Sequence, residues 1–235
     1  MKIAIISDIH ANFPALRSFH EDWDELWVIG DLVNYGPNPC EVVDWVRTHA
    51  HCVVRGNHDH AIGFSVDPRC SPPYRAMAAE TGAFTDNVLS ADAKRYLERL
   101  PLTIERRLGE HTFYLCHATP SDPLFGYLDK DASRWDSEVA STGAKIVVTG
   151  HTHVPLIRGV GDQTLINPGS IGQPKTGTPD ACYAIWEDGR LELRPYVYPV
   201  AETESHIRMM PISDPVKADL IRTLETGGLS AKEAV

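Results

Sequence analysis

Short apolar runs that end in polar motifs limit the folds open to this chain. The motifs are Asp8-Ile9-His10, Gly30-Asp31, Gly56-Asn57-His58-Asp59, His117 and Gly150-His151-Thr152-His153. The runs they terminate, residues 2–6, 26–29, 52–54, 112–116 and 145–148, have the length of buried strands. Ligands in open α/β sheets sit beyond the carboxyl ends of strands, so such a fold gathers these motifs at one edge.

Helix signals lie between the runs. Asn38-Pro39 sets an N-cap before a first-turn proline, Glu41 follows, and Val42, Val43, Trp45 and Val46 recur at helical spacing. Asn12-Phe13-Pro14 opens a shorter helix with Leu16 and Phe19 facing inward. Strand and helix thus alternate over the first 55 residues, the pattern of a parallel sheet with right-handed crossovers. Gly56-Asn57-His58-Asp59 taken alone also reads as a turn. The alternation breaks at about residues 60–101, where a proline-rich loop precedes helices expected at 74–86 and 91–100, the second capped by Ser90. This insertion reads either as a lid over a site or as a helical layer. Strands then dominate: 103–108 with 112–116, 156–160 with 164–166, and 181–187 with 191–198 around Asp188-Gly189. The expected organisation is one domain over residues 1–200 and a helical tail, 201–235, packed on it. That tail is helical at 215–224 and frays at its polar end.

A length of 235 residues suits that single domain, and 43% hydrophobic with 23% charged residues is ordinary for a soluble enzyme. No apolar run approaches the ~20 residues of a membrane span. The apolar opening stops at Ser7-Asp8 without a cleavage site, so it reads as a strand rather than a signal peptide. Five scattered cysteines (Cys40, Cys52, Cys70, Cys116, Cys182) with no C-x-x-C pair argue against a disulfide framework and for the cytoplasm. A formal net charge of −10 argues against non-specific nucleic-acid binding. Bound divalent cations would still reverse the field locally.

Asp8 and His10, two apart, point the same way in an extended strand. With Asp31, Asn57, His117, His151 and His153 they make seven candidate metal ligands. One zinc takes about three or four protein ligands. Two ions sharing a bridging carboxylate would use all seven. Oxygen and imidazole donors without thiolate suit Mn²⁺, Fe, Co²⁺ or Zn²⁺ rather than Ca²⁺ or Cu⁺. His20, His49, His51, His111 and His206 lack such context and read as surface or structural, and His60 is close to the motifs without belonging to one.

The five blocks resemble the signature blocks of the calcineurin-like metallophosphoesterases. Asn167-Pro168-Gly169-Ser170-Ile171-Gly172-Gln173-Pro174 is similar to the segment that follows in small bacterial phosphodiesterase-like members. The resemblance implies an α/β fold, a four-layer α-β-β-α sandwich of two mixed sheets. It assigns Asp8, His10, Asp31 and His153 to one metal, and Asp31, Asn57, His117 and His151 to a second, with Asp31 bridging. His58 matches the family's active-site histidine, which is not a ligand. The chain departs at Gly30-Asp31-Leu32-Val33-Asn34-Tyr35-Gly36, where the protein-phosphatase branch reads G-D-x-V-D-R-G. Asn34 replaces the carboxylate that would orient the histidine, and Tyr35 replaces a phosphate-gripping arginine. That departure argues against a protein phosphatase.

The expected activity is phosphodiester hydrolysis by in-line attack of a metal-bridging hydroxide, with ions ~3.5–4 Å apart. His58 is the expected general acid, oriented by Asp59 or Asn34. Asn12, Asn34, Tyr35 and His60 are candidate contacts for a small phosphorylated, nucleotide-like substrate. A phosphomonoesterase or nucleotidase is the near alternative. A non-catalytic scaffold, as in the retromer subunit of this fold, is the distant one, and the retained ligands and His58 weigh against it.

Overall fold

Side-chain alternation along β1 (Lys2–Ile6) sets the order of the layers. Ile3 and Ile5 point into a core between two sheets, while Ala4 and Ile6 point under a layer of helices. The computed structural model describes residues 1–228. After β1 come α1 (Phe13–Arg17), β2 (Glu25–Val28), α2 (Pro39–His49), β3 (Cys52–Val53), α3 (Asn57–Phe64), a 3-10 turn (Pro72–Tyr74), α4 (Arg75–Val88) and α5 (Ala91–Arg99). The second half holds β4 (Thr103–Leu108), β5 (His111–Cys116), α6 (Trp135–Thr142), β6 (Ile146–Val148), β7 (Leu156–Val160) and β8 (Gln163–Asn167). It ends with β9 (Ala181–Glu187), β10 (Arg190–Tyr196), α7 (Val200–Met209) and α8 (Asp214–Thr226).

One sheet has the strand order β10-β9-β1-β2-β3 and the other β4-β5-β6-β8-β7. Both are mixed. β1, β2 and β3 run parallel, as do β5, β6 and β8, and antiparallel hairpins complete each sheet. The layer between them is dominated by aromatic and β-branched side chains. Trp27 meets the edge of Phe113 at 5.0 Å, and Phe113 meets Trp186 at 5.4 Å. Leu16, Val42, Val43, Val46 and Leu97 from α1, α2 and α5 cover the outer face of the first sheet. Trp135 and Val139 of α6 cover Val147 and Leu165 of the second. This is the expected α-β-β-α sandwich.

Two helices, α3 and α6, were not legible, and α7 was expected only as an unplaced part of the helical tail. α3 begins inside Gly56-Asn57-His58-Asp59, where Asp59 at the third helical position accepts the Gly56 N–H at 3.0 Å. α6 and α7 are short, and their apolar faces are narrow. Within the 60–101 stretch, α5 buries Ala93, Leu97 and Leu100 against the first sheet, so this part is a helical layer. α7 packs on α1, and α8 packs on α4 over the expected 215–224 segment. The last residues of the expected fraying end, 229–235, lie outside the described residues. Among the described residues, no helix is long and apolar enough to cross a membrane.

Phe113 joins both sheets, so Phe113→Ala is expected to cost about 3–5 kcal/mol. Calorimetry should show one transition at lower temperature. Two separated transitions would contradict a core shared by the sheets.

Candidate metal centre

The ligands sit where strands stop and the backbone turns left-handed. Asp8, His10, Asp31, His151 and His153 have φ of +51°, +46°, +54°, +65° and +60°. That region costs an L-residue ~1–2 kcal/mol. Cross-loop bonds hold it: Asp8 N–H donates to Gly30 O at 3.1 Å, His10 N–H to Asp31 O at 2.9 Å, and Gly172 N–H to Asp8 O at 3.0 Å. Gly56 is required by proximity, since a Cβ there would collide with the Asp31 carboxylate.

All seven predicted ligands converge. In one group, Asp8 Oδ1 lies 3.3 Å from His153 Nε2, and His10 Nε2 lies 3.1 Å from His153 Nε2 and 3.7 Å from Asp31 Oδ2. In the other, His117 Nε2 lies 3.3 Å from Asp31 Oδ2, 3.1 Å from Asn57 Oδ1 and 3.2 Å from His151 Nδ1. Atoms bound ~2.0–2.1 Å from a common ion would stand roughly 2.9–3.4 Å apart, and most of these separations match that spacing. The Asp31 Oδ2 atom belongs to both groups.

Hydrogen bonds behind the ligands aim their lone pairs inward. The Nδ1–H groups of His10, His117 and His153 donate to the carbonyls of Val33 at 3.2 Å, Ile29 at 2.8 Å and Gln173 at 2.5 Å. Their Nε2 atoms are therefore unprotonated in the neutral ring. His10 and His153 thus face each other lone pair to lone pair, a repulsive contact unless a cation joins them. Asn57 Nδ2 donates to Pro68 O at 2.7 Å, which turns Oδ1 inward. Asp8 Oδ2 accepts from Ser7 Oγ at 2.6 Å and His151 N–H at 3.1 Å, while Asp8 Oδ1 is buried without any partner. An orphaned carboxylate oxygen amid imidazole lone pairs is the donor set of a divalent cation.

The protonation pattern agrees. Burial drives His10 and His153 well below the ordinary imidazole range, and drives His151 to about 3. Burial also opposes charge on His117, but the adjacent Asp31 outweighs it and raises that ring to about 9. Without a metal, His117 is the cation of the cluster.

His58 is buried beside these groups and within reach of Asp31 and His10. Asn34 Nδ2 lies 3.3 Å from Ala78 O, which can only accept, so the amide nitrogen faces that carbonyl. The same nitrogen contacts His58 Nδ1 at 2.7 Å. His58 Nδ1 is therefore an acceptor and its proton sits on Nε2, 3.5 Å from Cys70 Sγ. With both nitrogens so engaged, the ring offers no lone pair to a metal. Burial holds its pKa down at about 4.

The other predicted residues divide. Asp59 does not orient His58; its carboxylate accepts from the N–H groups of Asp31 at 2.8 Å, Leu32 at 2.8 Å and Gly56 at 3.0 Å, and Asn34 takes the orienting place. Tyr35 lines a cavity of about 200 Å³ together with Asp31, His58 and His151. Asn12 does not reach that cavity. It caps α1 and is saturated by Gly172, Tyr198 and Thr203. His60 is also outside it, with its ring 4.7 Å from that of Phe64. Sequence reasoning missed Arg69, Cys70, Tyr74, Phe125, Tyr127 and Lys175, which complete the cavity wall. They come from loops and a helix start without a motif; only Lys175, next to the 167–174 segment, carried a positional signal.

A buried Asp/His/Asn cluster fed by both sheets of a four-layer sandwich defines a metal-dependent hydrolase of phosphate esters. Residues 1–188 match the calcineurin-like phosphoesterase superfamily domain, and the chain belongs to that family. The crystal structure of a metallophosphoesterase from Sphaerobacter thermophilus superposes with a TM-score of 0.80 at 31% identity, covering 97% of this chain and 99% of that one. An uncharacterized protein of Methanocaldococcus jannaschii is 31% identical over 207 residues, 79% of this chain and 82% of its own. Phosphodiesterase YfcE of Escherichia coli is 25% identical over 211 residues, 82% of this chain and 91% of its own.

Two outcomes follow from this geometry. In chelated protein, the His58 ring should titrate near 4 by NMR. Asn34→Asp should raise that value by ~1–3 units, because a carboxylate would accept from Nδ1–H and favour the imidazolium. An unmoved titration would refute the orienting contact. Reloading chelated protein with Mn²⁺ or Zn²⁺ at a hundredfold excess over Kd should add about 2.7 kcal/mol of stability. Asp8→Asn should reduce that gain, measured as the melting-temperature shift.

Proposed function

We propose that this chain is a two-metal phosphodiesterase. The observation that carries the reading is the position of Asp31 Oδ2, 3.7 Å from His10 Nε2 on one side and 3.3 Å from His117 Nε2 on the other. Asp8, His10, Asp31 and His153 would hold one ion, and Asp31, Asn57, His117 and His151 the other. Imidazole and carboxylate donors suit Mn²⁺, Fe, Co²⁺ or Zn²⁺. Such ions supply Lewis-acid stabilisation of phosphate oxygens and a water acidified toward neutrality.

The chain's own groups do the rest. His58 would exchange its long Nε2–H contact with Cys70 Sγ for an oxygen of the bound ester, most usefully the departing one. Asn34 keeps that proton on Nε2 by donating to Nδ1. Asp59 fixes the Asp31–Leu32 backbone, and with it the shared ligand. The burial that keeps His58 neutral suits a diester, whose single charge needs no imidazolium partner. The kinship with a phosphodiesterase over 82% of the chain favours the same choice. The substrate is a small phosphorylated molecule, nucleotide-like on this reading. The cytoplasm is the compartment proposed.

The test is a metal-by-substrate matrix on chelated, reloaded protein, comparing an aryl phosphodiester with its monoester. The diester rate should exceed the monoester rate, and turnover in ¹⁸O-water should label the product phosphate. A higher monoester rate overturns the diester preference, and an unlabelled product rules out direct attack by water. His58→Ala should lower kcat by ~10²–10⁴-fold. Asp31→Asn should abolish turnover and lower the bound-metal count.

A further inference from the structure

Two cations in the cavity wall have no role in the chemistry above. Lys175 and Arg69 line the same cavity as Asp31, Asn57, His58 and His151. Neither forms an ion pair with a carboxylate among the described residues, whereas most surface arginines of the chain do. Each instead rests on an aromatic face. Lys175 Nζ lies 4.4 Å from the Tyr74 ring centroid, and Arg69 Cζ lies 4.3 Å from that of Phe125. Lys175 is partly buried, directly after the chain segment that supplies Gln173 O to His153. The Arg69 backbone is left-handed at φ +57° and is held by its own N–H donating to Asp67 Oδ1 at 2.6 Å. In a chain of net charge −10, no carboxylate among the described residues lies within ion-pair distance of either group; burial lowers the Lys175 pKa, and Asp8 and Asp31 of the cluster counter that only through space.

Charge balance identifies what they meet. Two divalent ions against the two carboxylates Asp8 and Asp31 already leave positive charge for a singly charged diester. Lys175 and Arg69 bring two further cationic groups to the wall of the same cavity, which a simple diester leaves without a close anionic partner. We infer that Lys175 and Arg69 form a second anion subsite, which takes a further phosphate group carried by the substrate next to the scissile ester. The inference rests on the phosphodiesterase reading and narrows its substrate class to esters bearing an additional phosphate. Tyr74 and Phe125 hold the two cations in place while leaving their N–H groups free for phosphate oxygens.

The test compares thymidine 5′-(p-nitrophenyl phosphate) with the same ester carrying a 3′-phosphate, and with its pyrophosphate-linked analogue. Wild-type protein should favour at least one doubly phosphorylated substrate by about tenfold or more in kcat/KM, the scale of one charge-assisted contact. Lys175→Met with Arg69→Met should collapse that ratio toward one, and Lys175→Arg should retain it. Arg69→Met alone, at an exposed position, guards against misfolding of the double variant and should lower the ratio in part. Calorimetric binding to metal-loaded protein gives an independent reading. Thymidine 3′,5′-bisphosphate should bind more tightly than thymidine 5′-monophosphate, and the double variant should lose that difference. A wild-type ratio of one, or a ratio the substitutions leave unmoved, overturns the subsite. Failure to hydrolyse any of these esters overturns the phosphodiesterase reading instead, while the binding comparison still decides the subsite.

Discussion

The carboxylate of Asp31 is the constraint around which the molecule is arranged. Its two oxygens are kept to different tasks. Oδ1 accepts the His58 N–H at 2.9 Å, at the N-terminus of α3, where helix N–H groups favour an anion. Oδ2 is thereby left facing the donor groups on both sides. A buried anion is costly unless opposite charge meets it. In the chain without metal that charge comes from His117, which is why this one imidazole is raised while its neighbours are lowered. Asp59 and Gly56 serve the same purpose from below. Asp59 clamps the Asp31 and Leu32 N–H groups, and Gly56 lacks the Cβ that would displace the carboxylate.

The two-sheet architecture follows from what this carboxylate needs. Asp8, His10 and Asp31 arrive on loops of the first sheet and Asn57 at the start of α3, whereas His117, His151 and His153 arrive from the second sheet. Neither sheet alone holds a complete donor group. The apolar layer of Trp27, Phe113 and Trp186 therefore positions the chemistry as well as stabilising the fold. A second link runs between the same regions through His151 N–H to Asp8 Oδ2 and Gly150 N–H to His117 O. Left-handed backbone at five ligands is tolerated because packing and these bonds over-determine it.

The convergence of the seven candidate ligands could be read from the sequence because they combine a residue type with a position: an Asp, Asn or His just past an apolar run. The strands could be read for the same reason, and β1, β4, β7 and β9 fall on the expected residues. What could not be read depends on direction rather than position. Asp59 follows His58 in sequence, yet the first turn of α3 aims its carboxylate back at the backbone. Asn34 lies 24 residues away but reaches the imidazole. Asn12 is polar and follows a motif, but it caps α1 and is saturated there. Lys175 and Arg69 are single cations in loops, and only the assembled cavity shows that they share its wall with the motif residues.

Replacing a carboxylate by Asn34 has effects beyond the loss of a charge. An aspartate there would accept from Nδ1–H and stabilise an imidazolium, giving a cationic ring that could surrender a proton from Nε2. The amide instead donates to Nδ1, because Ala78 O fixes its nitrogen on that side. A neutral ring can still donate from Nε2, though it is a weaker acid than the imidazolium. In the proposed hydrolysis, transition-state charge would then be met more by neighbouring cations and less by proton transfer from His58. Asn34 and Tyr35 leave one side of the site without the charges of the protein-phosphatase pattern, and Lys175 and Arg69 place cationic groups on another part of the wall, where the proposed subsite would select which phosphate ester is held.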